Sequence, residues 1–389
     1  MMLELLFLLL PVAAYSGWWT GSRSRGKKLE AGDTRFSAAY FKGLNFLLNE
    51  QPDKAIEVFV HMLEVDSETV ETHFALGNLF LRRGEVDRAI RIHQNLIARP
   101  TLTREQRNQA LFELGRDYMR AGLLDRAESL FLELMEDGNY GSPSLQQLID
   151  IYQQEKEWER AIHTARRLDG RSGKQMRPTI AHFYCELAEA ELGKGSSVQA
   201  QKMVKKALSE DKNCVRASLI EGRLLLNAGS PKAALKAYKR VEQQDPDYLP
   251  EVSEPVQICY SALQRPSEAT VFLKDVLQRH GSASIALALV EQLQKLEGEE
   301  RAVDFLTDYL EQHPSVRGMS RLIELKVAGS GEVQKQDFKI LHTLVDNILT
   351  GKPVYKCGHC GFNGRTLHWQ CPGCKHWSTI KPIHGVEGE

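Results

Sequence analysis

The segment GRDYMRAGLLDRAESLF, from Gly115 to Phe131, sets a small residue first, then Tyr118, Gly122, Ala127 and Phe131 at fixed intervals. The same grammar returns at Gly77, Phe80, Gly84, Ala89 and His93. It returns again at Gly222, Leu225, Gly229, Ala234 and Tyr238, closed by Pro246. Two antiparallel helices approach closely only where small side chains face each other, with Gly closing the turn and bulky residues filling the gap to the next pair. Working outward, Ala55, Ala89, Ala127, Ala161, Ala200, Ala234, Ala269 and Ala302 form a ladder with steps of 34, 38, 34, 39, 34, 35 and 33 residues.

This period and its Leu-Gly, Tyr, Gly, Ala, Phe/Tyr and Pro positions resemble the tetratricopeptide repeat; the competing reading is another helical-pair solenoid of similar period. The first, fourth, seventh and eighth units are degenerate: Ile149 stands where Gly is expected, and Pro266 is expected to interrupt its turn. Extra residues around Pro100 to Arg104 and Gly170 to Lys174 read as loops on one edge. The expected fold is an all-α superhelical solenoid of eight units stacked into one elongated body. Val316 to Leu325 and Phe338 to Leu349 read as a terminal helix pair that caps it.

The chain has 389 residues, 42% of them hydrophobic and 26% charged, the balance of a folded protein of two or three domains. A net charge of -1 gives no electrostatic case for nucleic acid. Seven cysteines, four of them in the last 35 residues, are not a disulfide scaffold; Cys185, Cys214 and Cys259 read as small core residues. The array carries no Gly-rich phosphate loop, His-Glu-x-x-His pair or nucleophile elbow, so a non-enzymatic role is expected. His61, His73, His93, His163 and His182 lack metal spacing and read as surface or packing residues.

Counted from the repeat frame, Asn78, Arg82, Arg116, Arg120, Glu189, Arg223 and Asn227 are expected on the concave face. Their arginines suggest a groove for an acidic or carboxylate-ended peptide.

At the N-terminus, Leu3 to Trp19 carries one charge, Glu4, and seventeen helical residues reach about 25 Å. Trp18 and Trp19 suit a membrane interface, and Arg23, Arg25, Lys27 and Lys28 follow at once. The positive-inside rule then places the rest of the chain in the cytoplasm, with the lipid bilayer as a partner. The competing reading is a cleaved signal peptide ending near Ala14-Tyr15-Ser16, which would release an exported scaffold. Against it, the leading residues carry no Lys or Arg and the basic cluster sits on the wrong side for export.

Near the C-terminus, Cys357-x2-Cys360 and Cys371-x2-Cys374 are separated by ten residues. Two such hairpins place four thiolates around one metal ion, with Gly361 and Gly373 expected to supply the tight turns. An 18-residue segment buries no core of its own, so the metal supplies its folding energy, on the order of 10 kcal/mol. His359, His368 and His376 read as surface groups or as groups beside the ligands. Zinc and iron both suit four thiolates. The domain boundaries that follow are 1–20 for a transmembrane anchor, 21–35 for a basic linker, 36–314 for the array, 315–350 for capping helices and 351–389 for the metal-binding domain.

Tyr355-x-Cys-x2-Cys-Gly with Trp369-x-Cys-Pro-x-Cys resembles a rubredoxin metal site, though a ten-residue connection leaves no room for that domain's aromatic core. Iron in such a site raises the alternative of an electron-transfer module. The order of LLFLLLPVAAYSGWWTG with RSRGKK, the repeats, and YKCGHCG...WQCPGC resembles the lipopolysaccharide assembly protein B family of Gram-negative inner membranes. The resemblance implies an adaptor that helps the membrane AAA+ protease FtsH degrade the LpxC deacetylase, opposed by an inner-membrane lipopolysaccharide-sensing protein. It also implies Cys357, Cys360, Cys371 and Cys374 as the metal ligands. A scaffold coordinating lipopolysaccharide assembly enzymes is the alternative, and an anchored solenoid permits a homodimer.

Overall fold

The computed structural model describes residues 38–65, 70–173, 175–329, 332–386 and 388. The expected anchor at 1–20 and the linker at 21–35, with Trp18, Trp19, Arg23 and Arg25, lie outside them. Among the described residues, no helix is long and apolar enough to cross a membrane. The chain divides into two compact units at Ala121/Gly122.

The first unit contains helices Ala38–Leu48, Pro52–Val65, Val70–Arg82, Val86–Ile97 and Arg104–Arg120. Helix Arg104–Arg120 starts at a reciprocal cap, in which the Thr103 hydroxyl accepts from the Gln106 N–H and the Gln106 side chain accepts from the Thr103 N–H. Ala55, Phe59, Leu76, Leu79, Phe80 and Ala89 make its main core. His93 fills the bulky position four after Ala89 and packs over Gly77, where an added Cβ would overlap the imidazole ring. The Nδ1 edge of the ring needs a polar partner, and Asp117 supplies it: Nδ1 lies 2.6 Å from Oδ2, both side chains fully buried.

The second unit runs as helical pairs from Leu124–Leu134 to a last pair, Val316–Gly329 and Glu332–Leu349. The described helices of that last pair begin at Val316 and at Glu332, the second six residues before the Phe338 start read from the sequence. All eight ladder alanines, each in the first turn of its helix three residues after the helix start, are 0% exposed, which is why only a methyl group fits there. Gly222 repeats the Gly77 arrangement, since a Cβ on it would overlap the Tyr238 ring.

In seven of the eight units the turn between paired helices carries a left-handed residue five positions before the ladder alanine; in the eighth the positive φ falls on Gly298, four before Ala302, at 100°. Gly84, Gly122, Gly195 and Gly229 take the left-handed position with φ of 78, 75, 78 and 70°. Glu50, Lys156 and Gln264 take it as well, at 56, 59 and 57°, and accept the steric cost of a Cβ there, about 1 kcal/mol each. Pro266 therefore does not interrupt the seventh unit as expected. It occupies the first turn of helix Pro266–His280, where a missing N–H costs nothing, and Gln264 makes the turn. Residues 170–172, expected in a loop, extend helix Trp158–Ser172, which ends on left-handed Gly173. Ile149, in place of Gly, is 1% exposed in the core.

The C-terminal segment departs from a purely helical description. Strands β1 (Tyr355–Cys357), β2 (Asn363–Gly364) and β3 (Ile380–Pro382) form an antiparallel sheet in the order β2-β1-β3, with Cys357 opposite Ile380.

Candidate metal centre

The two cysteine hairpins are built alike. In the first, the Cys357 N–H donates to Phe362 O at 2.7 Å and the Gly361 N–H to Cys357 O at 3.0 Å. In the second, the Cys371 N–H donates to His376 O at 2.9 Å and the Lys375 N–H to Cys371 O at 2.8 Å. The residue after each second cysteine is left-handed, Gly361 at 77° and Lys375 at 61°. Gly373 lies in the turn at 372–374, as the sequence suggested, but without a positive φ. Its role is room, because a Cβ would sit 3.4 Å from Cys360 Sγ and 3.8 Å from Cys371 Sγ.

These turns bring all four Sγ atoms within 4.8 Å of one another. Cys357 and Cys374 are 3.8 Å apart and Cys360 and Cys371 3.6 Å. Thiolates about 2.3 Å from a central ion in a tetrahedron lie about 3.8 Å apart, so the donor set fits one four-coordinate ion. Burial raises the Cys357 thiol. The Thr379 hydroxyl, 3.3 Å away, and the N–H groups of Cys360 and His359 more than offset this and hold it at about 5. A buried thiolate is the form a metal needs. His359 and His376 stack on each other at 3.9 Å on the exposed side, beside the four sulfurs.

So small a segment has little interior, and its aromatic residues are spent on the helices instead. Trp377 stacks on His182 with centroids 5.0 Å apart, and meets Phe183 edge-on at 5.9 Å. Its indole Nε1 donates to Gln153 Oε1 at 2.9 Å, which also accepts from Gln370 at 3.0 Å. Trp369 stacks on Tyr248 at 5.3 Å, and the Tyr248 hydroxyl donates to Ile380 O at 3.0 Å. Lys381 bridges Asp247 at 2.7 Å and Asp245 at 2.9 Å, and its hydrogen bond is the main reason that the Asp247 carboxyl sits below its usual range. The Tyr355 hydroxyl donates to Glu251 at 2.6 Å. The contacts reach helices Gly141–Gln154, Arg177–Gly193 and Pro250–Ala262 and the short turn Pro246–Tyr248.

His182 lies under this seam. Its Nε2 is 2.7 Å from Ser378 Oγ, and burial, helped by the nearby Arg216 charge, lowers its pKa to about 3. Arg216, 4% exposed, donates to Glu186 at 2.7 Å and Glu189 at 2.6 Å, with its guanidinium 6.0 Å from the Trp377 ring. Of these seam residues the sequence singled out Trp369 and Tyr355 as parts of the cysteine motif, His182 as a surface or packing histidine, and Glu189 as a concave-face residue; none was read as part of a seam. The available signal was two tryptophans in a segment too short to bury them.

The expected concave-face residues fall into two sets. Asn78, Arg82, Arg116 and Arg120 belong to the first unit, where Arg116 pairs with Glu113 of its own helix at 2.9 Å. Glu189, Arg223 and Asn227 belong to the second, where Glu189 is taken by Arg216 and lies 4.0 Å from Arg223. Arg116 and Arg223 therefore have carboxylate partners within the chain.

Residues 355–382 match the family described as rubredoxin metal binding domain, and residues 74–142 and 185–248 match the tetratricopeptide repeat. Lipopolysaccharide assembly protein B of Escherichia coli K12 is 43% identical over 389 residues, covering 100% of both chains. The protein of that name from Haemophilus influenzae is 36% identical over 396 residues, covering 99% of this chain and 100% of the relative. With the repeats, the four-cysteine centre and full-length identity in agreement, the chain belongs to the lipopolysaccharide assembly protein B family.

Proposed function

We propose that this protein is a non-enzymatic adaptor that restrains lipopolysaccharide synthesis by presenting the LpxC deacetylase to the FtsH protease. Residues 1–20 anchor it in the inner membrane, with repeats and metal domain on the cytoplasmic side. The family membership supports the pathway. The observation that carries the adaptor reading is the seam: a metal knuckle locked by Trp369 and Trp377 across successive helical pairs makes a fixed surface for protein capture. Confining a client beside a membrane protease raises its effective concentration without any chemistry by the adaptor.

The test is a pull-down of tagged full-length protein from detergent-solubilised membranes, beside Cys371→Ser and a deletion of residues 1–20. Protease and deacetylase should both be recovered, and each change should reduce them. Recovery of envelope assembly enzymes without either protein would favour the scaffold reading instead.

A further inference from the structure

Two thiols that the metal centre does not use meet inside the second unit. Cys185, in helix Arg177–Gly193, is fully buried, and its Sγ lies 3.9 Å from the Sγ of Cys214, 29 residues further on. Cys214 stands just before helix Val215–Asn227, outside its regular turns, at φ -70° and ψ 95°. The turn that leads into it is at the surface, with Lys212 and Asn213 exposed. The two sulfurs are unequal. The hydrogen bond from Cys185, the Ala217 N–H and the Arg216 charge favour thiolate at Cys214 and lower its pKa despite burial. Burial, and then the bond with Cys214, raise the Cys185 thiol. An activated sulfur at a helix start beside a buried protonated one is the arrangement of a dithiol that oxidises. Cys259 offers the comparison, since it is as fully buried and burial alone raises its pKa.

We propose that Cys185 and Cys214 are a redox pair that a hydroperoxide converts into an intramolecular disulfide. The inference goes beyond the adaptor reading and does not rest on it. With hydrogen peroxide, the Cys214 thiolate attacks one oxygen, the O–O bond breaks and hydroxide leaves, so that Cys214 becomes a sulfenic acid. The Cys185 sulfur then attacks the sulfenic sulfur, the S–S bond forms, and water departs with the Cys185 proton. Two thiols are oxidised by two electrons in all, and one peroxide is reduced to two waters. A disulfide is about 2.05 Å long, so the sulfurs close by about 1.9 Å from where they stand. The bond fastens the start of helix Val215–Asn227 to helix Arg177–Gly193. Arg216, two residues after Cys214, already spans the same helices through Glu186 and Glu189, with its guanidinium near the Trp377 ring. The disulfide therefore staples the base of the clamp that meets the knuckle.

The experiment treats reduced, metal-loaded full-length protein with hydrogen peroxide, alkylates it under denaturing conditions and maps each cysteine by peptide mass spectrometry. A crosslinked peptide joining Cys185 to Cys214 should appear, and disappear on treatment with dithiothreitol, while Cys259 is recovered as a free thiol. With dimedone present to trap sulfenic acid, Cys185→Ser should be labelled at Cys214, whereas Cys214→Ser should leave Cys185 unlabelled. Hydrogen exchange across 211–218 should slow in the disulfide form and recover on reduction. Recovery of both cysteines as free thiols, oxidation of Cys259 to the same extent, or dimedone labelling of Cys185 in place of Cys214 overturns the proposal. A crosslink that leaves exchange across 211–218 unchanged overturns the staple. Should either serine variant lose its helical circular dichroism, the crosslink in the unsubstituted protein decides alone.

Discussion

His182 and Trp377 lie face to face, 195 residues apart in sequence by their numbers, with ring centroids 5.0 Å apart and planes within 18° of parallel. The imidazole is buried and neutral, and it is one of the points at which helices of the second unit meet the metal knuckle.

Trp377→Ala removes that stack, the edge contacts to Phe183 and Trp158, and the hydrogen bond to Gln153. It should cost the docked state about 3 kcal/mol while leaving the four ligands in place. Hydrogen exchange across 355–382 should rise in the variant with metal content unchanged.

The pH dependence follows from His182. Its folded pKa of about 3 lies below the ordinary value of 6.5, so the unfolded chain takes up the proton first. The stability linked to this residue is present above pH 6.5 and falls as pH drops toward 3, by up to about 1.4 kcal/mol per unit. Urea unfolding followed by tryptophan fluorescence should show this slope between pH 6.5 and 5. His182→Gln, which has no charge to gain, should flatten it.

Removing the metal should unfold the knuckle and leave the helices. Chelation should abolish the protection of residues 355–382, yet far-ultraviolet circular dichroism should keep its helical signal. Thr379→Val, which deletes the hydroxyl beside Cys357 Sγ, should weaken metal affinity about tenfold in a competitive chelator titration.

The repeat grammar makes a paired prediction. Gly222→Ala drives a Cβ into the Tyr238 ring and should destabilise by about 2 kcal/mol. Gly195→Ala meets nothing within 4 Å and is penalised only by its left-handed backbone, about 1 kcal/mol. Thermal unfolding of the two variants should rank them in that order.

The ladder alanines and the cysteine quartet were legible because each answers a local rule: a methyl-sized gap every repeat, and two ligands per hairpin. The left-handed Lys156 and Gln264 were not, since nothing in their side chains announces a positive φ and only the neighbouring repeats reveal it. Pro266 was misjudged for the same reason, as the turn it seemed to block is made two residues earlier. Docking of the knuckle was beyond local rules altogether. Gln153, His182 and Tyr248 reach Trp377, Ser378 and Ile380 across 224, 196 and 132 residues, and no periodicity links positions so far apart.

The most direct test of the adaptor is reconstitution of FtsH and LpxC in lipid vesicles with and without the metal-loaded full-length protein, following LpxC over time. Degradation should accelerate when the protein is present and return to the basal rate with Cys371→Ser or after chelation of the protein before mixing. An LpxC half-life that is the same with and without the protein would contradict the account.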